Sequence, residues 1–343
     1  MGGVESFFVF SSFFLTRRLC KCKGEQTQIN IIENIKYRLA RLYPVYISLI
    51  CGAVALTVLA KKKIALLDSF YQLIFSQNIN WMVTGYSSDL KWLTAHTWTL
   101  SIEFYCFLFW LFAFRLLQTR KEKLAFNLGM IVLAVAWRIV TTTAVGDPMI
   151  ISLFPLAHAD AFALGSILAI YMDKADSDEK RERRGLLPTI VAVFGIGLIV
   201  TSIWITAQNA GVSLFDGYRL YKTSSGYLNN AFTCNIYLYI SLLSVALLIF
   251  ATRIKMSGKN YISCALIVLG DISYSAYLIH WPVKVIISRF IGNWGVVFAG
   301  TLIVTIIVSL VLEMLIKFLT MKLKENKSTR IRNTKEDMYD PII

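Results

Sequence analysis

Three stretches of this chain carry ionisable and hydroxyl side chains inside otherwise apolar surroundings. The richest runs from Gly270 to Lys284. Within it, Ser273, Tyr277, His280 and Lys284 follow at intervals of four, three and four residues, which lines them along one helical face. A hydroxyl, a phenol, an imidazole and an ammonium on one face could move a proton, with His280 as general base or hydrogen-bond donor. A lone buried His is more often a satisfied contact; the stripe raises the case for chemistry. Pro282 has no N–H to offer the Leu278 carbonyl, so a kink and a spare acceptor are expected beside the stripe. The second stretch, Trp98–Glu103, puts Glu103 one turn in from the start of an apolar run, with Thr99 one turn behind on the same face. Two readings stay open for Glu103: a carboxylate lining a polar cavity, as base or as a base's orienting partner, or one that bonds a neighbouring helix or the headgroups. The third stretch is His158-Ala159-Asp160. Ala161, Gly165 and Ala169 follow it at intervals of four, a spacing that lets another helix approach closely. Packing is the first reading there, with His158 and Asp160 turned to the interior.

The elements that must position these groups are long apolar runs. Of 343 residues, 56% are hydrophobic and only 16% charged, too few for a soluble surface at this length. The runs include Val45–Ala60, Phe104–Leu117, Leu124–Val140, Leu187–Ile205, Ala231–Phe250 and Trp294–Leu319. About 20 residues at a helical rise cross the bilayer core, and such continuous runs do not suit barrel strands. The fold class is therefore all-α: a polytopic transmembrane helical bundle of roughly nine spans. They are expected near 2–16, 45–60, 98–117, 124–145, 150–172, 187–207, 231–252, 273–291 and 295–320. Glu5 falls near the outer end of the first.

The net charge of +14 would suggest nucleic acid in a soluble protein. Here the positive charge sits in short segments between spans, so the positive-inside rule explains it, and no nucleic-acid partner is expected. Arg17–Arg41, Arg120–Lys123, Lys174–Arg184, Arg253–Lys259 and the tail Lys322–Arg332 all fall on one side, taken as cytoplasmic. Lys61–Lys63 breaks that rule mildly. The 3–4 spacing of Ile32, Ile35, Leu39 and Leu42 makes Asn30–Tyr43 an amphipathic helix on the membrane surface, with Pro44 opening the next span. Lys36, Arg38 and Arg41 on that helix could hold phosphates or anchor to anionic lipid. Ile64–Met82, with Asp68, Gln72, Gln77, Asn78 and Asn80, reads as a re-entrant or interfacial piece. Glu313 and Lys317 form an i,i+4 pair that neutralises itself. Arg138 and Arg289 read as snorkelling or interhelical partners. Cys20 and Cys22, without His or a second Cys pair nearby, are weak as a metal site, and no disulfide framework is expected.

Five segments, in order, resemble the acyltransferase-3 family of membrane O-acyltransferases, which acylate cell-envelope sugars. They are Gly3–Thr16, Arg38–Pro44, Trp98–Glu103, Asp160–Ala169 and Leu269–Val283. The resemblance implies a helical bundle, residues 1–320, followed by a basic cytoplasmic tail, residues 321–343. It implies an acyl group, acetyl by expectation, moved from cytoplasmic acyl-CoA, with no metal, to a hydroxyl of an envelope polysaccharide or glycan. Membrane lipid and that glycan are the implied partners, and the cell membrane, with the C-terminus cytoplasmic, the implied location. Carried over, Arg38 and Arg41 would contact the donor. Glu103 and His280 would be catalytic, with Glu5, Asp160, Ser273, Tyr274 and Tyr277 around the substrate cavity. The family's leading span, which carries an Arg and a catalytic His, has no counterpart ahead of Gly3, so the resemblance implies a chain lacking that span. Ser12 stands where a Gly is usual, His158 where an Arg is frequent, and Phe104 and Tyr105 where polar residues often follow the Glu. A flippase or transporter of lipid-linked sugars would use the same intramembrane polar groups, although no inverted repeat is visible. An inactive family member acting by association is the other alternative.

Overall fold

A backbone surrounded by lipid must satisfy its own hydrogen bonds, and this chain does so with helices. The computed structural model describes residues 2–21, 30–62, 64, 66–85, 89–144, 148–173, 187–221, 231–252 and 261–336. Its helices are α1 (Gly2–Lys21), α2 (Ile31–Leu59), α3 (Leu66–Leu73), α4 (Gln77–Thr84), α5 (Lys91–Thr94), α6 (Trp98–Leu116) and α7 (Arg120–Ala144). They continue with α8 (Pro148–Leu153), α9 (Ala159–Asp173), α10 (Leu187–Ala210), α11 (Leu214–Tyr221), α12 (Ile236–Ala251), α13 (Tyr261–Ile287) and α14 (Trp294–Glu336). Short 3₁₀ turns at Ala95–Thr97, Pro155–His158 and Thr233–Asn235 lead into α6, α9 and α12. No strand occurs among the described residues. Eight of the helical runs are long and apolar enough to cross a membrane. Large side chains such as Phe194 and Trp204 on α10, and Phe298, Ile303 and Val311 on α14, stay exposed, as lipid-facing positions should. The chain is a multi-pass, all-helical membrane protein.

Several boundaries differ from the expected ones. The surface helix and the following span are one helix, α2, which passes through Pro44; losing a single N–H does not end a helix this long. The piece expected at Ile64–Met82 is two short helices, α3 and α4, parted at Phe75, whose φ is 54°. The span expected at 150–172 is interrupted: Phe154 is extended (φ −84°, ψ 130°) and Pro155 starts a 3₁₀ turn, because a residue before proline is pushed out of the helical region. α13 begins at Tyr261, ahead of the expected start at Ser273, and α14 runs on through the basic tail to Glu336. The basic segments Lys174–Arg184 and Arg253–Lys259, Cys22 and residues 222–230 lie outside the described residues.

The chain divides into two compact units. One comprises residues 1–35, 74–87 and 98–255; the other comprises 36–73, 88–97 and 256–343. In the first, α1 lies along α9, with α7 and α12 beside them. Phe8, Phe13, Phe107, Trp110, Phe114 and Phe162 fill its core. The small-residue stripe of α9 receives α1, as its spacing suggested. A Cβ built on Gly165 would overlap the Val9 carbonyl and come within 3.2 Å of Phe13 N. Ser12 donates to the Phe162 carbonyl, and Thr16 to Ser166 Oγ at 3.0 Å. Gly165→Ala should therefore destabilise the protein by about 1–3 kcal/mol, although alanine is the better helix former by about 1 kcal/mol. A thermal melt in detergent checks the sign; a melting point equal to or above the parent's would refute the close crossing. In the second unit, α13 packs along α14 and against the α5 turn, and Ser275 donates to Glu313 Oε1 at 2.5 Å. Glu313 is thus joined to α13; the Lys317 side chain lies outside the described residues.

Candidate functional site

Two groups of polar side chains stand out, one in each unit. In the second unit the group gathers around the 3₁₀ turn Ala95–Thr97 and the middle of α13. α13 passes through Pro282, so the Leu278 carbonyl lacks the N–H that would ordinarily reach back to it. His96 supplies the donor: its Nε2 lies 3.0 Å from Leu278 O. A carbonyl only accepts, so the proton sits on Nε2. The Tyr277 hydroxyl returns a bond to the His96 carbonyl at 3.0 Å. The His96 and His280 rings lie edge to face, with centres 5.2 Å apart, and Tyr277 and Trp281 flank His96 at 5.4 and 6.4 Å. His280 Nδ1 lies 2.5 Å from the Tyr277 carbonyl and must also donate, which leaves the Nε2 lone pair of a neutral ring to accept a proton. His280 is half-buried.

The coupling of His96 to Pro282 makes a clean prediction. His96→Ala strands a buried carbonyl and should cost about 1–3 kcal/mol. In a Pro282→Ala background the restored N–H serves Leu278, so the same substitution should cost much less. Melting the parent, both single variants and the double variant measures this; equal costs in the two backgrounds would refute the pairing.

In the first unit the group is a buried charge cluster. Arg138 on α7 meets Asp160 Oδ2 at 2.6 Å, with both side chains fully buried. It also donates to Asn235 Oδ1 at 3.0 Å and to the Ala157 carbonyl at 2.5 Å, so its fork is anchored on three sides. Glu5 Oε1 lies 2.7 Å from His158 Nδ1, and His158 Nε2 lies 2.8 Å from the Ser152 carbonyl. Since Nε2 must donate, Glu5 and His158 share a proton across their short contact. Among the described residues, Glu5 Oε2 has no hydrogen-bond partner. Tyr237 packs against His158 and bonds Ser152 Oγ at 2.8 Å. Glu103 is buried and accepts from Ser11 Oγ at 2.5 Å.

The residues singled out in the sequence are thus distributed. Glu5, Glu103 and Asp160 belong to the first unit; Arg38, Arg41, Ser273, Tyr274, Tyr277 and His280 belong to the second. Tyr277 and His280 come together with His96. Tyr274 is buried and donates to the Leu42 carbonyl at 3.2 Å. Ser273 is exposed and bonds Gly270 O of its own helix at 2.7 Å, and Lys284 lies over the Trp281 ring at 4.9 Å. Arg38 is half-buried and Arg41 exposed on α2. Sequence reasoning passed over His96. Its signal was the acceptor freed by Pro282, which needs a donor in a chain with only three histidines. It also missed that Glu5 and Arg138 are the partners of His158 and Asp160. Among the described residues no three His, Cys, Asp or Glu side chains form a group that could hold a metal ion.

The profile of a family described as an acyltransferase domain matches residues 1–314. The chain belongs to the acyltransferase-3 family. Among curated proteins it is similar to the O-acetyltransferase OatA of Staphylococcus aureus strains NCTC 8325, COL and MRSA252, at 23% identity over 303 residues in each case. The alignment covers 84% of this chain but 46% of each relative, so the chain spans just under half the length of the relatives it matches. No solved structure matches it. All five motif segments fall within the family's matched region.

Proposed function

We propose that this acyltransferase-3 protein transfers an acyl group, acetyl in the first instance, from acyl-CoA on the cytoplasmic side to a hydroxyl of an envelope glycan. The family match and the name of the Staphylococcus aureus relatives support the transfer of an acetyl group to oxygen. The observation that carries the chemistry is the His280 ring: Nδ1 is committed to the Tyr277 carbonyl, which leaves Nε2 with the lone pair to act as the base. In the step, Nε2 takes the proton of the acceptor hydroxyl as its oxygen attacks the thioester carbonyl. The C–S bond breaks, the ester forms, and the proton ends on the CoA thiol. His96 and Tyr277 hold the His280 helix in register. Glu103 is the carboxylate of the catalytic set, as base or orienting group. The family resemblance supports Glu5, Asp160, Ser273 and Tyr274 as candidate substrate contacts. Arg38 and Arg41 are assigned to the donor's phosphates. The first turn of α7, Arg120–Lys123, and the C-terminal end of α14 then face the cytoplasm.

Membranes carrying the chain, supplied with acetyl-CoA labelled in the acetyl group, test the proposal. Label recovered in a base-labile glycan ester is the expected result. Movement of a lipid-linked sugar across the bilayer without label in any ester would overturn it in favour of a transporter.

A further inference from the structure

Within the second unit a pocket of about 430 Å³ is lined by Lys62, Asp89, Lys91, Trp92, Ala95 and Trp281. Its two indoles are fixed: Trp281 Nε1 donates to the Trp92 carbonyl at 3.2 Å, and Trp92 Nε1 to Thr57 Oγ1 at 3.0 Å. Cations lie over both rings. The Lys62 ammonium is 4.6 Å and the Arg289 guanidinium 4.9 Å from the centre of Trp92, and the Lys284 ammonium is 4.9 Å from that of Trp281. A ring face attracts a cation without neutralising it, so these charges keep their field, unlike charges in a salt bridge. Lys62 and Lys91 line the pocket together with Asp89, and Arg289 and Lys284 lie over its two indoles.

Chain direction adds a second argument. Lys62 follows α2, Asp89–Ala95 lead into the run Lys91–Leu116, and Lys284 and Arg289 close α13. All therefore lie at the ends of their spans opposite the basic loops. The positive-inside rule accounts for the basic loops and leaves these cations unexplained. An anion that they must bind accounts for them.

We propose that this pocket is the acceptor subsite and that it takes an anionic sugar, one bearing a carboxylate or a phosphate. The assignment rests on the reading of the chain as a glycan O-acyltransferase. Asp89 suits a sugar: a carboxylate accepts hydrogen bonds from ring hydroxyls, while the surrounding cations meet the sugar's acidic group. Trp281 ties the pocket to the reacting group. It follows His280 directly in the chain, and its ring centre lies 6.4 Å from that of His96. A sugar held by the cations at the mouth would present a neighbouring hydroxyl to His280 Nε2.

Equilibrium binding of two matched probes tests this: oligogalacturonate, and the same oligomer with its carboxylates methyl-esterified. The protein is held in nanodiscs of zwitterionic lipid. The charged probe should bind at least roughly tenfold more tightly at low salt, and the difference should shrink as ionic strength rises. The double substitution Lys62→Gln/Arg289→Gln should bring the ratio of the two affinities towards one. Equal binding of the two probes to the parent protein, or a double variant with the full difference, overturns the assignment. In a second arm the nanodiscs contain phosphatidylglycerol. If that lipid displaces oligogalacturonate, the cations serve a headgroup and the proposal falls. A chain that discriminates between the probes but esterifies no glycan would sink the activity and leave the anion site standing. Transfer without discrimination would sink the site alone.

Discussion

His280→Ala should lower acyl transfer by about 10²–10⁴-fold, the usual contribution of a positioned general base. The substitution removes the Nε2 lone pair and leaves the backbone of α13 intact, because the Tyr277 carbonyl that His280 Nδ1 contacts lies within its own helix. The fold should survive, and a melting curve beside the rate measurement separates lost chemistry from lost protein. Added imidazole should restore part of the rate by filling the vacated volume with the same base. Glu103→Gln is the companion. The amide keeps the size of the buried side chain and a carbonyl oxygen for Ser11, so a large loss of rate there would mark the charge itself as necessary. If both variants transfer label at the parent's rate, the catalytic assignment is wrong, whatever the family.

Arg138→Met should cost about 3–5 kcal/mol of stability, the penalty for leaving a buried charge without its partner. Arg138 and Asp160 are both fully buried, and the substitution also deprives Asn235 and the Ala157 carbonyl of a donor. An uncompensated carboxylate among apolar helices has no water to reach. The result expected is poor yield in detergent and a sharply lowered melting point. The double variant Arg138→Met/Asp160→Leu should recover much of the loss, because two apolar side chains of similar volume often replace a buried pair at little cost. Should Arg138→Met melt with the parent, the pair is not holding the first unit together. Asp160, which opens one of the family's motif segments, would on this account support the fold that carries the site.

Much of this was legible in the residues alone. Long apolar runs with few charges have a single solution in lipid, so the all-helical, multi-pass class followed from composition and run length. The Ala161–Gly165–Ala169 stripe announced a close helix crossing, because a missing Cβ has little other use on a lipid-embedded face. Pro282 announced an unsatisfied carbonyl, because its ring has no N–H. What the stripe did not name was α1, and what the proline did not name was His96, 182 residues from Leu278. The Arg138–Asp160 and Glu5–His158 pairs were likewise invisible as pairs, though all four residues had drawn notice. Periodicity tells which side chains share a face of their own helix. It says nothing of how that helix is turned against one distant in the chain, and a buried charge finds its partner only through that rotation. Sequence therefore determined the solvent this protein lives in, its helices and its suspect residues. The tertiary packing decided which of those residues neutralise one another and which donor serves the carbonyl that Pro282 frees, since each of those bonds depends on helices brought together from far along the chain.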